Sequence, residues 1–456
     1  MKGIDLSSPK VLRTCLRLAV PAMLAQLITV LYSIVDRIFV GNMAQVGDLA
    51  LAGVGVCAPV TTLITSFASL VGIGGAPLFA MCMGEGRADN ARKILSNALL
   101  MLLIISAALT AVILPLLKPL LMTFGASENT YPFAEEYMLV YASGCVFAVL
   151  SAGLNQFITA QGYAGTAMAT TCIGAVANIA LDPLFIFTLD MGVTGAAAAT
   201  VFSQGLSALF VIVFLLLPKT KVRLSFGGYS GKTMIKIVKM GLSPFFIAAT
   251  DSIIIIVLNA VLQKHGGADG DMWVTVATVV QAFLSLITMP MLGITTGTQP
   301  VLAFNYGARN TALIKKAEKT IVLMCLCFTT LMFALSWAIA KPFVSLFTSD
   351  ALITQNSISG IRKYMIGIIP LALQYAFVDG LTGLGQPKFA FTLSITRKLV
   401  LLLSLTFALP ALFGVSAVFY AEPAADIASA IISTITFSCV IGKILKKREE
   451  SAENIV

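Results

Sequence analysis

Charged side chains are scarce in this sequence of 456 residues. Asp, Glu, Lys and Arg make up 11% of it, whereas a soluble domain has about 25%. Only one histidine and two tryptophans occur, while 58% of the residues are hydrophobic and the mean hydropathy is +0.94. These proportions exclude a soluble globular protein and predict one that crosses a membrane many times. The first apolar run is too long for a cleaved secretory signal, so we interpret it as the first span.

Motifs for catalysis, metal binding and nucleotide binding are also missing. The eight cysteines lie mostly in apolar runs without paired spacing, which indicates neither disulfides nor a metal site. The stretch GGYSGKT at 227–233 resembles a phosphate-binding loop, but Gly227 is one residue too close to Gly231 and no strand is predicted before it. The single histidine, His265, lies in a Gly-rich segment that we predict to be a loop. We therefore expect a protein that is not an enzyme and needs no cofactor.

Twelve apolar segments are long enough to cross a membrane, since a span needs about 20 residues. They predict an all-α polytopic membrane protein with twelve transmembrane helices. Longer polar connections are expected only around 218–233 and 341–361. The predicted spans run approximately over 14–40, 49–82, 94–117, 134–160, 165–189, 194–217, 235–263, 273–303, 320–340, 362–384, 390–412 and 415–442.

The basic residues are distributed unevenly between the two sides of the predicted bundle. If both termini are cytoplasmic, that side holds 24 of the 30 Lys and Arg residues. The asymmetry follows the positive-inside rule, so it predicts cytoplasmic termini in a multi-pass protein of the plasma membrane, which is the inner membrane of a bacterium. It also accounts for the net charge of +9 without a nucleic-acid partner. The six basic residues on the outer side are Arg37, Lys118, Lys264, Lys341, Arg362 and Lys363.

The two halves of the chain repeat at a constant offset of 223 residues. Unrelated halves would not hold one offset across several Pro and Gly positions, so we expect two pseudo-symmetric six-helix bundles related as a parallel repeat. The prediction is an N-terminal lobe over 1–217, a cytoplasmic linker over 218–233, a C-terminal lobe over 234–445 and a cytoplasmic tail over 446–456. Matching pairs include Pro21 and Pro244, Pro77 and Pro300, and Gly162 and Gly385.

Four polar residues of the N-terminal half are predicted to converge inside the membrane. Asp36 on span 1, Asp182 on span 5 and Thr200 on span 6 fall at similar depth in the outer half. Asn178 is one helical turn before Asp182 and shares its face. Two carboxylates at short range repel unless a proton or cation lies between them, and oxygen ligands of this kind suit Na⁺. The sequence therefore predicts a site for H⁺ or Na⁺.

Structural roles are the alternative for these residues. Asp36 could pair with Arg37 at the outer interface, although consecutive residues on a helix do not face each other. Asp182 precedes Pro183, which disfavours helix at that position and could make it a helix end. The repeat argues for function, because the residue matching Asp36 in the second half is Asn259, so the fold does not require an acid there.

Further intramembrane acids occur in the second half. Asp251 lies well inside span 7 and is a second functional candidate, with an ion pair inside the bundle as the alternative. Asp379 lies nearer the cytoplasmic end of span 10, where it could extend to the interface. Glu422 and Asp426 are four residues apart on span 12 and are weaker candidates.

Several of these stretches together resemble the multidrug and toxic compound extrusion (MATE) family of cation-coupled exporters. The resemblance covers nearly the whole chain. It implies two six-helix lobes in a V around a central cleft, and exchange of an outgoing cationic or amphipathic drug for incoming H⁺ or Na⁺. The stretches are LYSIVDRIFVG (31–41), NIALDPLFIF (178–187), MGVTGAAAAT (191–200) and GLGQP (383–387).

The resemblance also implies roles for individual residues. It assigns the cation site to Asp36, Asn178, Asp182, Thr200 and the backbone carbonyl of Ala196. If Na⁺ is the ion, these same side chains are its expected ligands.

Other positions match the family pattern less completely. Tyr32 and Asn155 match substrate-contact positions, and Pro21 matches a bending point in span 1. Asp251 fits one acid of a second coupling site found in another branch, whereas Asp379 lies nearer the end of span 10 than that pattern expects.

We therefore expect a secondary active multidrug antiporter, acting as a monomer on small cationic or amphipathic molecules in contact with membrane lipid. A flippase for lipid-linked precursors is the main alternative. Such a flippase should line its cleft with cations for a phosphate-bearing headgroup, yet Arg397 is the main cation inside a span. A membrane enzyme or a major-facilitator-type transporter is less favoured, because neither a catalytic constellation nor that superfamily's loop signature occurs.

Overall fold

The computed structural model describes residues 3–43, 47–348 and 350–453. Within these ranges the chain is almost entirely helical and forms no β-strand. Two π-helical turns (Leu184–Thr188 and Thr396–Leu402) and two 3-10 turns (Gly267–Asp269 and Val415–Tyr420) adjoin α-helices. The α-helices are α1 (Val11–Gly41), α2 (Gly47–Gly84), α3 (Ala88–Ile113), α4 (Leu117–Thr123), α5 (Tyr131–Ser143), α6 (Cys145–Ala160), α7 (Ala164–Pro183), α8 (Gly192–Leu216), α9 (Gly231–Gly266), α10 (Gly270–Gly307), α11 (Thr311–Val344), α12 (Ala351–Met365), α13 (Ile368–Gly383), α14 (Pro387–Ile395), α15 (Leu403–Phe413) and α16 (Ala421–Glu453).

Most of these helices are long and apolar. In the described part of the chain, ten helical stretches could cross a membrane by length and composition, or twelve if each of two bent pairs is one span. The bent pairs are α5 with α6, at 55°, and α12 with α13, at 49°. With the pairs counted as single spans, the helices follow the twelve predicted spans.

The polar connection predicted over 341–361 is mostly helical. Helix α12 begins at Ala351, where Asp350 Oδ1 accepts a hydrogen bond from the Ile353 amide at 2.9 Å. This N-cap satisfies a free amide of the first turn and lets a polar segment form helix. The polar composition of this segment predicts a connection between spans. A hydropathy profile does not detect the N-cap that starts a helix within it.

Two further segments are more helical than predicted. His265 lies in the last turn of α9 instead of a loop, with Nδ1 3.0 Å from the Val261 carbonyl oxygen. A short 3-10 turn joins α9 to α10, so the glycines there do not open a loop. The predicted tail over 446–456 continues α16 as far as Glu453, and residues 454–456 lie outside the described part of the chain.

By their contacts, the described residues fall into two compact units. One consists of described residues within Met1–Asp5 and Leu24–Ala248, and the other of those within Leu6–Met23 and Ala249–Val456. One boundary lies before α1, between Asp5 and Leu6, and the other two lie inside α1 and α9, a few residues after Pro21 and Pro244. We call these the first and the second unit.

The connection between α8 and α9 is tied to the first unit by side chains. Asn97 Oδ1 accepts a hydrogen bond from the Ser230 amide at 2.8 Å, and Gln161 Oε1 accepts one from the Val222 amide at 3.0 Å. Lys221 Nζ donates a hydrogen bond to the Ile4 carbonyl oxygen at 3.0 Å, and burial lowers the pKa of Lys221. The phosphate-loop-like stretch thus spans the end of this irregular connection and the first turn of α9, and no strand precedes it as such a loop needs.

Glycines allow the site-bearing helices α7 and α8 to approach each other. A Cβ on Gly174 would lie 2.5 Å from Ser207 Oγ, and a Cβ on Gly195 would lie 2.7 Å from the Phe185 carbonyl oxygen. Small residues at such points are typical of helix contacts in membranes. The first contact joins α7 to α8 before Asn178, and the second joins the π-helical turn that follows α7 to α8 after Asn178.

Candidate functional site

Two carboxyl groups meet inside the first unit. Asp36 lies on α1 and Asp182 near the end of α7, and their side chains are close enough to hydrogen bond. The Asn178 amide donates from Nδ2 to Asp182 Oδ1 at 3.1 Å, and the same nitrogen lies 3.5 Å from Thr200 Oγ1. Four of the predicted site residues therefore lie together in the structure.

This acidic cluster is largely buried, with Asp36 itself half-buried, and it is short of hydrogen-bond donors. Asp182 is fully buried and Asn178 nearly so. No donor among the described residues reaches Asp36 Oδ1, Asp182 Oδ2 or Asn178 Oδ1. Buried acceptor oxygens without partners are costly, and so are two adjacent carboxylates. The geometry therefore suits a proton or a small hard cation between the oxygens.

Tyrosines of α5 extend the cluster, and the sequence did not single them out. Tyr137 hydrogen-bonds with the side chain of Thr200, and Tyr141 with that of Gln204. The two rings stack with centroids 6.0 Å apart. The two tyrosines are four residues apart on α5, as are their partners on α8. This match can be recognised only when it is known that α5 packs against α8. Ala196, the predicted backbone ligand, is fully buried on α8 one turn before Thr200.

A cavity of about 240 Å³ adjoins the cluster within the first unit. Asn178 and Thr200 belong to both, and the predicted substrate-contact residues Tyr32 and Asn155 line the cavity as well. No lining residue carries a charge. The other lining residues are small or polar: Thr29, Thr65, Ala148, Ser151, Ala152, Thr170, Thr171, Gly174, Ala175, Ser203, Gln204 and Ser207.

The cavity wall contains acceptor oxygens without donors. Asn155 Nδ2 donates to the Ala167 carbonyl at 3.1 Å, whereas Asn155 Oδ1 is buried with no partner among the described residues. The same holds for Gln204 Oε1. Buried acceptors of this kind favour a ligand that brings hydrogen-bond donors, such as an ammonium group.

Pro21 lies in a part of α1 that belongs to the second unit. It is half-buried, and its missing N–H removes one hydrogen bond from the helix. Gly293 and Gly297 of α10 face the adjoining turn of α1, where a Cβ on Gly293 would lie 2.8 Å from the Ala22 carbonyl oxygen. The turn of α1 next to the proline therefore packs against glycines that lack side chains, and this arrangement suits a bending point.

The two candidate acids of the second unit have different partners. Asp251 Oδ1 accepts a hydrogen bond from Lys398 Nζ at 2.6 Å, so its charge is compensated. Asp379 accepts one from the Thr295 hydroxyl. No described contact joins Asp251 to Asp379. The structure thus brings the acids of the first unit together but not these two.

Glu318 is a buried acid that the sequence analysis missed. It is 6% exposed on α11, and neither carboxyl oxygen has a hydrogen-bond partner among the described residues. Its closest acidic neighbour is Asp379, and a Cβ on Gly380 would lie 2.7 Å from Glu318 Oε1. The residue went unnoticed because it follows a lysine pair at the start of a span, in a segment predicted to be a cytoplasmic loop.

Arg397, Glu422 and Asp426 form a buried ionic network in the second unit. Arg397 Nε donates to Asp426 Oδ1 at 2.8 Å, and its Nη2 donates to Glu422 Oε1 at 3.2 Å. The guanidinium also lies 5.7 Å from the ring centroid of Tyr375. These acids have a cationic partner, in contrast to the acidic cluster of the first unit.

The helices and the buried oxygen cluster beside a polar cavity define a multi-pass membrane transporter. The MatE family model matches residues 21–184 and 248–408. The chain belongs to this family, the multidrug and toxic compound extrusion family that the sequence resembles.

Similar named proteins and solved structures agree with this family assignment. The chain is 23% identical to the multidrug export protein MepA of Staphylococcus haemolyticus, over 93% of this chain and 92% of that protein. It is 26% identical to an FAD transporter of Shewanella oneidensis, over 86% and 87%. An outward-facing multidrug resistance MATE transporter superposes with a TM-score of 0.91 at 26% identity, covering 98% of this chain and 99% of that one. The predicted family, the twelve-span fold and a transporter instead of an enzyme are thus confirmed.

Proposed function

We propose that this transporter is a secondary active antiporter, which exports cationic or amphipathic molecules in exchange for H⁺ or Na⁺ at the acidic cluster. The observation that carries the proposal is the contact between Asp36 and Asp182 without a described donor for their remaining oxygens. An acid pair in the membrane to which no cation of the described residues is bonded needs an exchangeable one.

Exchange requires that the ion and the drug influence each other. Asn178 and Thr200 contact the acidic cluster and also line the cavity. An ion that draws the Asn178 and Thr200 oxygens toward the carboxyls changes the same wall that a drug would contact. Binding of one species therefore alters the affinity for the other, which is the thermodynamic requirement for coupling.

The two candidate ions differ in the number of oxygen ligands that they need. A proton needs only the two carboxyl groups. Na⁺ needs several oxygen ligands, which Asp36, Asp182, Asn178, Thr200 and the Ala196 carbonyl could supply. The two ions therefore make different demands on Asn178 and Thr200.

Efflux from proteoliposomes under separately imposed pH and Na⁺ gradients tests the proposal. Wild-type protein should expel a cationic dye when one of the two gradients is present. Asp36→Asn should reduce efflux to the level of empty liposomes, because the acid pair is lost. Asp190→Asn is the matched control, since it makes the same substitution at an exposed acid of the first unit. Full gradient-driven efflux by Asp36→Asn would rule out this cluster as the coupling site.

We also propose that the protein lies in the plasma membrane as a monomer with both termini cytoplasmic. The proposal includes an N-terminal lobe over 1–217, a cytoplasmic linker over 218–233 and a C-terminal lobe over 234–445. The distribution of Lys and Arg supports the orientation of the termini. Labelling by a membrane-impermeant reagent tests the orientation in whole cells, with single cysteines introduced at Ser230 and Ser127 after the eight native cysteines are replaced by serine. Only the second should react, and the reverse pattern would contradict the orientation.

A flippase for lipid-linked precursors is disfavoured by the partners of the cations inside spans. Arg397 is bound by Glu422 and Asp426, and Lys398 by Asp251. Cations already paired with carboxylates are poor receptors for a phosphate group.

A further inference from the structure

The second unit contains a basic groove with a volume of about 880 Å³. Three cations line it: Lys341 near the end of α11, and Arg362 and Lys363 on α12. None of its lining residues is an Asp or Glu, and no carboxylate among the described residues pairs with any of the three. The groove therefore carries uncompensated positive charge.

Aromatic faces and a main-chain carbonyl position two of these cations. The Arg362 guanidinium carbon lies 4.8 Å from the ring centroid of Trp337. Lys363 Nζ lies 5.2 Å from the ring centroid of Tyr420 and donates to the Ser416 carbonyl at 3.3 Å. A cation above an aromatic ring keeps its charge and most of its donors. Both groups are therefore held in place and remain able to bind an anion.

The clustering is unusual for this protein. Only six Lys and Arg residues are predicted on the outer side, and three of them line this groove. Positive charge is disfavoured on that side by the positive-inside rule, so a concentration there needs a local reason.

The sequence repeat provides an internal comparison. At the offset of 223 residues, Arg362 and Lys363 correspond to Leu139 and Val140. Positions that are uncharged around the groove correspond to acids in the first half. Lys341 corresponds to Lys118, so the fold does not require the charges of Arg362 and Lys363 but shares the third cation between its halves. The corresponding pairs are Ala351 and Glu128, Ile358 and Glu135, and Ser359 and Glu136.

We propose that the groove binds the phosphate-bearing headgroup of an anionic phospholipid, of the phosphatidylglycerol type. The Arg362 fork suits a phosphate oxygen pair, and the two lysines add compact positive charge. Polar side chains such as Thr354 and Ser359 could bond the glycerol, while Phe333 and Ile366 offer apolar surface where the acyl chains begin. Tryptophan and tyrosine beside the cations are typical of membrane interfaces. This inference is independent of the coupling site.

Lipid binding to the full-length, delipidated protein tests this inference. Native mass spectrometry would titrate dioleoylphosphatidylglycerol, with dioleoylphosphatidylcholine as the zwitterionic comparison and inorganic phosphate as a soluble competitor. Wild-type protein should prefer the anionic lipid. A triple variant with Lys341→Gln, Arg362→Gln and Lys363→Gln should bind it roughly 100-fold more weakly, since each cation near an anionic lipid contributes about fivefold.

The matched control removes the other three outer cations by Arg37→Gln, Lys118→Gln and Lys264→Gln. It loses the same charge from the same predicted side and should retain wild-type lipid affinity. Equal losses in both triple variants would reduce the effect to general surface charge and overturn the proposal. Complete displacement of the lipid by millimolar phosphate would overturn it in favour of a free-anion site.

A single substitution covers the case in which the triple variant does not fold. Arg362→Gln removes one cation and should weaken anionic-lipid binding about fivefold. Arg362→Lys keeps the charge, loses only the planar fork and should weaken binding less. Unchanged binding by folded Arg362→Lys, together with unchanged binding by folded Arg362→Gln, would contradict the proposed headgroup contact.

Discussion

Individual buried charges behave differently in the two units of this transporter. In the second unit, Arg397 compensates two acids and Lys398 compensates one. In the first unit, Asp36 and Asp182 contact each other with no described cation bonded to them. Buried ion pairs maintain structure, whereas a buried acid pair without a partner must exchange a proton or cation with solvent. Arg397 and Lys398 therefore mark structural charges, and Asp36 and Asp182 are the coupling charges that we propose. Glu318 beside Asp379 is the exception in the second unit, because its carboxyl oxygens have no hydrogen-bond partner among the described residues.

Removing Arg397 should destabilise the protein strongly. Arg397→Met leaves Glu422 and Asp426 buried without a cation, which costs on the order of 3–5 kcal/mol in comparable cases. Lys398→Met should cost much less, because the side chain of its partner Asp251 is 42% exposed. Thermal unfolding of both variants in the same detergent measures the difference. Equal melting temperatures for the two variants would contradict this reading of the ionic network.

Asp36 and Asp182 should act as one unit in transport. Asp36→Asn and Asp182→Asn should each abolish gradient-driven efflux, and the double variant should be no worse than either single one. Groups that work together are non-additive in this way. Initial rates of dye efflux in matched proteoliposomes measure it. Independent, multiplicative losses would show that the acids do not share an ion.

At the scale of helices, close contact between α7 and α8 positions the site. Gly195 lies against the Phe185 main chain near the π-helical turn that follows Pro183. Proline removes a helix hydrogen bond, and the wider turn after it is a local adjustment of the freed backbone. Asp182 is thus placed at the level of Thr200 by backbone features in addition to its own contacts.

A methyl group at Gly195 should disturb that placement. Gly195→Ala would bring Cβ within 2.7 Å of a main-chain oxygen, so α7 and α8 must separate. We expect lower efflux and a lower melting temperature. Gly165→Ala on α7 is the matched control, since a Cβ there meets nothing within 4 Å and Ala favours helix by about 1 kcal/mol. Equal behaviour of the two variants would contradict the role of this contact.

The bending point in α1 makes a separate prediction. Pro21→Ala restores a backbone N–H and should stiffen the helix. We expect slower maximal efflux with little change in ion or dye affinity, because Pro21 contacts neither the acidic cluster nor the cavity. Concentration dependence of efflux separates the two parameters. A large loss of affinity with an unchanged maximal rate would argue against a hinge.

Hydropathy and charge were sufficient to predict the spans, because crossing a membrane constrains composition directly. Depth along each span and the spacing of Asn178 and Asp182 were enough to predict the acidic cluster. Glu318, Tyr137 and the polar helix α12 were missed. The burial of Glu318 and the hydrogen bond of Tyr137 depend on which helix packs against them, and the start of α12 depends on its N-cap. The composition of a single segment contains neither kind of information.

At the scale of the whole molecule, the two halves share a fold and differ in chemistry. The first unit carries an acid pair beside a cavity, while the corresponding position of Asp36 in the second half is Asn259. The second unit carries a compensated ionic network and the basic groove. Gene duplication of a six-helix unit followed by such specialisation explains why a constant offset persists at Pro and Gly positions while Asp36, Arg362 and Lys363 have uncharged counterparts.

The central claim is that drug and ion compete through one cluster, and drug-induced ion release tests it most directly. A saturating cationic substrate is added to purified protein in weakly buffered detergent solution, and released H⁺ and Na⁺ are measured together. Wild-type protein should release one of the two ions, and Asp36→Asn with Asp182→Asn should release neither while remaining folded. Release of the same amount by that double variant would contradict the account.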